Sequence, residues 1–141
     1  MARETKEERK EREARELRAA FETVSAGWTV RFANLMVEFA NLPGFEVAKG
    51  EEADYVTYKF SPPESLMGYN HHYDVPVAIE FDKFYDGLRE MKNAEYAVRR
   101  YHEEQAEADR RYKVYQGALA KLSKEEVEML KLNWGVNDSR Y

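Results

Sequence analysis

Cysteine is absent from the 141-residue sequence. This absence excludes disulfide frameworks, thiolate metal centres and cysteine nucleophiles together. It is typical of proteins in a reducing compartment, and we expect a cytoplasmic location. No stretch approaches the roughly 20 apolar residues that span a bilayer, and residues 1–16 are charged where a secretory signal needs an apolar core. The sequence therefore predicts neither a membrane anchor nor a secretory leader.

Residues that carry known catalytic chemistry are few and scattered. The sequence has only three histidines, so a metal site centred on His72, Asp74 and Glu80 must recruit carboxylates. Such a site would make the chain a metal-dependent nuclease, while the alternative is a polar loop leading into a strand. No glycine-rich phosphate loop and no nucleophile-elbow serine occurs. We therefore predict a protein without catalytic activity, metal or cofactor, and keep the nuclease as an alternative.

An excess of basic residues is also missing. The formal net charge is −5, and residues 43–92 hold ten acidic and five basic side chains. An acidic centre repels phosphate, so nucleic-acid binding is not expected. The pairs Arg99-Arg100 and Arg110-Arg111 are neutralised by the acidic residues between them. They are typical of a solvated helix face.

Two long segments repeat apolar residues at three- and four-residue steps, which is the spacing of one helix face. The first runs from Leu17 to Phe39 and should end near Asn41, because Pro43-Gly44 follows. The preceding residues, 1–16, place opposite charges four apart and predict a charged helical extension that buries nothing.

The second apolar segment predicts a helix over residues 82–122, with Asp82 as its cap. Its apolar stripe should pack against the first helix. Ser123 and Glu126 form a capping box for a last short helix, whose inward side chains are Val127, Leu130 and Trp134. We expect one domain over residues 17–135 and a loose tail over 136–141.

Between the two helical segments, three short runs alternate apolar and polar residues or contain strand-forming residues. They lie at Phe45–Ala48, Tyr55–Phe60 and Val75–Phe81. Pro76 favours an edge position for the last of them. The predicted fold is therefore α+β, with a small, mainly antiparallel sheet of two to three strands packed against two long helices.

The middle of the sequence mixes tyrosines with carboxylates, a composition that suits binding to a basic protein partner. The loop before the last strand adds two apolar residues that should be exposed. The predicted partner-binding residues are Glu51, Glu52, Asp54, Tyr55, Leu66, Met67, Tyr69 and Tyr73. The alternative reading is that several tyrosines belong to the core and the acids keep the domain soluble. A second hypothesis is a structural protein that self-associates as a homo-oligomer through the helical stripe from Tyr101 to Leu119.

The order of a long helix, short strands and a second long helix, with Tyr55–Ser61 followed by Tyr73–Phe81, resembles that of small phage-encoded inhibitor proteins. These include anti-CRISPR proteins that block a CRISPR nuclease. The resemblance covers roughly residues 35–98 and consists of element order alone. It implies a non-enzymatic inhibitor that binds a host nuclease or another basic protein.

Overall fold

The computed structural model describes residues 3–51, 55–122, 124–126 and 128–129. In these residues a three-stranded sheet lies between two long helices in the chain order. The elements are α1 (Lys6–Asn41), β1 (Glu46–Lys49), β2 (Thr57–Ser61), α2 (Glu64–Met67), β3 (Tyr73–Pro76), a 3-10 turn (Phe81–Lys83) and α3 (Phe84–Ala120). The predicted α+β class, with its antiparallel sheet and two long helices, is confirmed. The chain divides into two compact units, residues 1–100 and 101–141.

Helix α1 begins with a capped segment in which every residue from Lys6 to Glu16 except Ala14 is charged. The Thr5 hydroxyl accepts a hydrogen bond from the Glu8 backbone N–H at 3.1 Å, which satisfies one free donor of the first turn. Arg12 forms ion pairs with Glu4 at 2.8 Å and with Glu16 at 3.2 Å. Residues 6–16 are all exposed, so opposite charges, not burial, support this part of the helix.

The second half of α1 supplies much of the core of the first unit. Trp28, Phe32, Leu35 and Phe39 are buried on one face. Phe39 and Phe32 both pack edge-on against Phe60 of β2, with ring centroids 5.0 and 5.7 Å apart. The helix ends at Asn41, as the following Pro43-Gly44 predicts.

Helices α1 and α3 run parallel in the first unit. Phe21 near the middle of α1 meets Phe84 at the start of α3, with centroids 5.5 Å apart. Further along both helices, Arg31 donates two hydrogen bonds to the Glu95 carboxylate, at 2.8 and 2.5 Å. Because later residues of one helix contact later residues of the other, the chain must return along their length between them.

The sheet provides this return path with the strand order β1-β2-β3, and both neighbouring pairs are antiparallel. Strand β3 ends earlier than predicted. The alternation of apolar and polar residues runs from Val75 to Phe81, but the hydrogen bonds between β2 and β3 stop before the alternation does. The last ladder bond runs from the Val77 N–H to the Val56 oxygen at 3.0 Å. Beyond it Ile79 is buried against α3, and Phe81 packs edge-on against Phe21 at 5.3 Å. The strand predicted over Val75–Phe81 is therefore wrong in extent, although its edge position is confirmed.

Gly87 allows α3 to approach the end of β3 closely. A Cβ atom at this position would overlap the Ile79 side chain and lie 3.1 Å from Pro76 Cγ. Glycine therefore allows the close approach of α3 to the end of β3, and a larger residue would force the end of the Ile79 side chain to move. Asp82, predicted as the helix cap, lies inside the 3-10 turn that leads into α3.

The buried stripe of α3 lies in the first unit and comprises Phe84, Gly87, Met91, Ala94, Ala97 and Val98. In the second unit the stripe residues Tyr101, Ala108, Tyr112, Tyr115 and Leu119 are half-buried. Residues 124–126 and 128–129 are helical, within the segment predicted as a last helix.

Several predictions on the C-terminal segment stay predictions. Val127, Leu130 and Trp134, the expected inward side chains of the last helix, and the tail over 136–141 lie outside the described residues. The single domain over 17–135 likewise stays a prediction.

Candidate functional site

Of the residues predicted to form one acidic, tyrosine-rich surface, those that the structure describes lie at two opposite ends of the sheet. In an antiparallel ladder, the β1–β2 connection leaves one end and the β2–β3 connection leaves the other. Glu51 and Tyr55 belong to the first connection, next to Thr57. Tyr69 and Tyr73 belong to the second, where Tyr73 pairs with Phe60. A strand of this length separates the two ends by roughly 13–17 Å, so they form two sites instead of one.

At the first end, Glu51 is exposed and Tyr55 is half-buried. The ammonium group of Lys83 lies 3.9 Å from the centre of the Tyr55 ring, which is a cation–π contact. The Tyr55 ring is therefore already used as a platform by a side chain of the same protein. Glu52 and Asp54, which were also predicted to bind a partner, lie outside the described residues.

At the second end, Leu66 and Met67 form part of the short helix α2. Gly68 ends this helix with φ 80°, a left-handed conformation that favours glycine. Leu66 is buried and Met67 is half-buried. The expectation that both are exposed is therefore wrong for Leu66, because the helical turn directs that side chain into the core.

Tyr73 is the buried centre of this second end. It is only 5% exposed. Burial raises its pKa to about 12, with further contributions from the charge of Tyr69, hydrogen bonding with Tyr69, and the neighbouring Glu90 and Tyr96. The partner-binding role of Tyr73 stays a prediction, and in the structure the buried ring packs against the His71 ring.

Around Tyr73 lies a group of aromatic and charged side chains, all exposed except the half-buried Glu90, that we call the Tyr69 patch. It consists of Tyr69, His71, His72, Asp74, Glu90 and Tyr96. Tyr69 is 51% exposed and Tyr96 is 43% exposed. The His71 ring lies edge-on to both Tyr69 and Tyr73, at centroid distances of 5.5 and 4.8 Å. The Tyr69 and His71 rings are therefore in contact with one another, and the His71 ring is also in contact with the buried Tyr73.

The strand below the patch is fixed to both long helices. The Asp74 backbone N–H, which points away from β2, donates to the Glu90 carboxylate of α3 at 3.0 Å. Pro76 has no N–H, and its carbonyl accepts the Trp28 indole N–H of α1 at 2.9 Å. On the free edge of β3, the Asp74 N–H and the Pro76 carbonyl are thus bonded to the two helices, which leaves fewer backbone groups for a further strand.

Two residues of the Tyr69 patch, Glu90 and Tyr96, were not predicted from the sequence. They lie on α3, more than a dozen residues after Asp74. In the sequence they look like residues on the solvent-facing side of any helix. Only the parallel course of the helices over the sheet brings them to the loop. Short-range sequence patterns contain no signal for such a contact.

The residues considered for a metal site are partly brought together. His72 Nε2 lies 3.6 Å from Asp74 Oδ2, as their alternation in an extended segment predicts. Across the described parts of the chain, no group of three histidine, cysteine, aspartate or glutamate side chains could hold a metal ion. The set of His72, Asp74 and Glu80 is therefore not assembled.

Comparison of the chain with protein-family models, with curated proteins and with solved structures finds no match. Among the helices that the structure describes, none is long and apolar enough to cross a membrane.

Proposed function

We propose that this chain is a non-enzymatic protein-binding module whose partner surface is the Tyr69 patch. The observation that supports this best is the pair of half-exposed tyrosines, Tyr69 and Tyr96, set around the buried Tyr73. Tyrosine rings bury a large area with few rotatable bonds, and they are enriched in protein interfaces for that reason. A patch built from such rings is suited to a protein partner.

The rigidity of the patch supports the same role. The hydrogen bonds from Asp74 to Glu90 and from Trp28 to Pro76 fix the strand before any partner arrives. Ordering flexible side chains and loops on association reduces affinity, so a surface ordered in advance binds more tightly for the same contacts.

We further propose that the partner is basic and that binding blocks it, as an inhibitor of a nuclease would. The acidic excess of residues 43–92 supports a basic partner, since opposite charge increases the rate of encounter. Within the patch, Asp74 and Glu90 provide carboxylates beside the tyrosines. The element order shared with small phage-encoded inhibitors is consistent with this role.

The test is affinity capture from lysate with the tagged chain, followed by mass spectrometry. The variant Tyr69→Ala/Tyr96→Ala removes the two exposed rings and leaves Tyr73 in the core. Tyr85→Ala is the matched control, because Tyr85 is also exposed but stacks on Phe84, outside the patch. We expect one or more basic proteins to be captured by the wild-type chain and by the control, and lost with the double variant.

Charge reversal at the other end of the sheet tests which of the two ends of the predicted surface binds the partner. Glu51→Lys changes an exposed carboxylate near Tyr55 without touching the Tyr69 patch. Capture that survives Glu51→Lys and fails with Tyr69→Ala/Tyr96→Ala supports the proposal. A partner that the double variant retains shows that the patch is not the binding surface.

A further inference from the structure

The solvent side of α1 changes character abruptly along the helix. Up to Arg18 the exposed residues are mostly charged. From Ala19 to Asn41 fourteen residues are exposed, and only Glu22 and Glu38 among them carry charge. In a protein with 35% charged residues, such a depletion is typical of the centre of an interface and not of a solvated face.

The uncharged side has a regular apolar seam, which we call the outer seam. Its residues are exposed, alternate in steps of four and three, and lie opposite the buried face of α1. They are Ala19, Thr23, Ala26, Val30, Ala33 and Val37. Val30 is 67% exposed and Val37 is 59% exposed, so this seam includes large apolar side chains in water. Thr23 adds no free donor, because its hydroxyl donates to the Ala19 carbonyl at 3.0 Å.

We infer that the outer seam is a self-association surface on which a second copy of this chain packs its own α1 in the opposite direction. This surface is separate from the Tyr69 patch and does not depend on the proposed function. A four-three repeat sustained over this length is the spacing of two helices that pack along each other.

The pattern of large and small residues selects the antiparallel direction. The larger seam residues, Thr23, Val30 and Val37, occupy one set of heptad positions, and alanines occupy the other. Antiparallel packing places each larger residue opposite an alanine of the other copy, which fills space evenly. Parallel packing would instead place valine against valine and alanine against alanine, leaving gaps between the alanines.

Charge selects the same direction. If the four-three spacing of the outer seam is extended toward the N-terminus, the next positions are Glu16, Arg12 and Arg9. In a parallel pair each of these residues would face its own copy, and like charges would repel along the seam. In an antiparallel pair the charged extension of one copy runs past the end of α1 of the other, so the two extensions do not meet.

The area of the seam fits a weak, reversible dimer. Standard interfaces bury roughly 30–40 Å² for each residue that they contain. If the fourteen exposed residues contribute at this rate, each copy buries about 500 Å², and the pair buries about 1,000 Å². This is the lower limit for a stable interface, so we expect dissociation in the micromolar range.

The test is sedimentation equilibrium of the full chain from low micromolar to several hundred micromolar. We expect a monomer–dimer equilibrium for the wild type and a monomer for Val30→Glu/Val37→Glu. Val114→Glu is the matched control, because Val114 is 64% exposed on α3 and outside the seam; it should dimerise like the wild type. Circular dichroism checks that both variants keep the helix content of the wild type.

Distances between spin labels test the direction, and the absence of cysteine makes single-site labelling clean. With a label at Glu13→Cys, an antiparallel pair that places Val30 of one copy opposite Ala26 of the other separates the two labels by about 45 Å, given 1.5 Å per residue. A parallel pair would place them within about 20 Å. A wild type that stays monomeric at every concentration, a dimer that persists in Val30→Glu/Val37→Glu, or a short distance between the labels would overturn the inference.

Discussion

Alkaline pH should destabilise the fold through Tyr73. Burial and the charge of Tyr69 raise the pKa of this residue to about 12 in the folded chain, whereas an unfolded tyrosine titrates near pH 10. Between these values the unfolded chain has released the proton and the folded chain still holds it. The folded state therefore binds more protons, and the free energy of unfolding falls as the pH rises through this window.

The two pKa values set the size of the effect. Each unit of difference between folded and unfolded states corresponds to about 1.4 kcal/mol. The contribution of Tyr73 is intact below about pH 9, where both states are protonated. It decreases by about 1.4 kcal/mol at about pH 11 and by on the order of 2 kcal/mol at about pH 12.

Urea unfolding of the wild type and of Tyr73→Phe, measured from pH 9 to pH 12, isolates this effect. Phenylalanine has no proton to lose, and the other tyrosines and lysines titrate in both proteins. We expect the wild type to lose stability relative to the variant by on the order of 2 kcal/mol over this range. A difference that stays constant from pH 9 to pH 12 would refute the argument, because it would mean that Tyr73 ionises equally in both states.

Three further predictions concern the long helices. Gly27→Ala should raise the free energy of unfolding by up to about 1 kcal/mol, because no atom lies within 4 Å of the new Cβ and alanine favours helix. Gly87→Ala should lower the free energy of unfolding by roughly 1 kcal/mol, because the new methyl group would overlap the Ile79 side chain and crowd Pro76. If urea unfolding shows that both alanine variants are stabilised equally, the close approach of α3 at Gly87 is contradicted. Glu95→Gln should lower it by about 1 kcal/mol at low salt, since the Arg31 partner is lost and both side chains are only about one-third exposed. This loss should shrink in about 1 M salt, and a loss that is independent of salt would show that the ion pair does not stabilise the fold.

The long helices were predictable because each carries its own signal. The stripe from Leu17 to Phe39 and the following Pro43-Gly44 set the face and the end of α1 without reference to the rest of the chain. The alternating charges of residues 6–16 likewise predict an exposed helix by themselves. Such local patterns depend only on the geometry of one element.

The end of β3 and the site could not be predicted in this way. Ile79 and Phe81 continue the alternation of a strand, but Ile79 is buried against Gly87 of α3 and Phe81 packs edge-on against Phe21 of α1. The Tyr69 patch likewise depends on Glu90 and Tyr96, whose neighbours are decided by the packing of α3 over the sheet. Residue type alone does not reveal contacts between elements that are distant in the sequence.

The parallel course of α1 and α3 has a consequence for how the chain folds. Two helices joined by a short loop pair as neighbours, but here the Arg31–Glu95 pair spans 64 positions and the Trp28–Pro76 bond spans 48. Neither contact can form until the intervening strands have closed a large loop, which costs chain entropy before any stabilisation is gained. We expect the first unit to fold more slowly than a helical hairpin of the same size, with the β-hairpin as the step that brings the helices together.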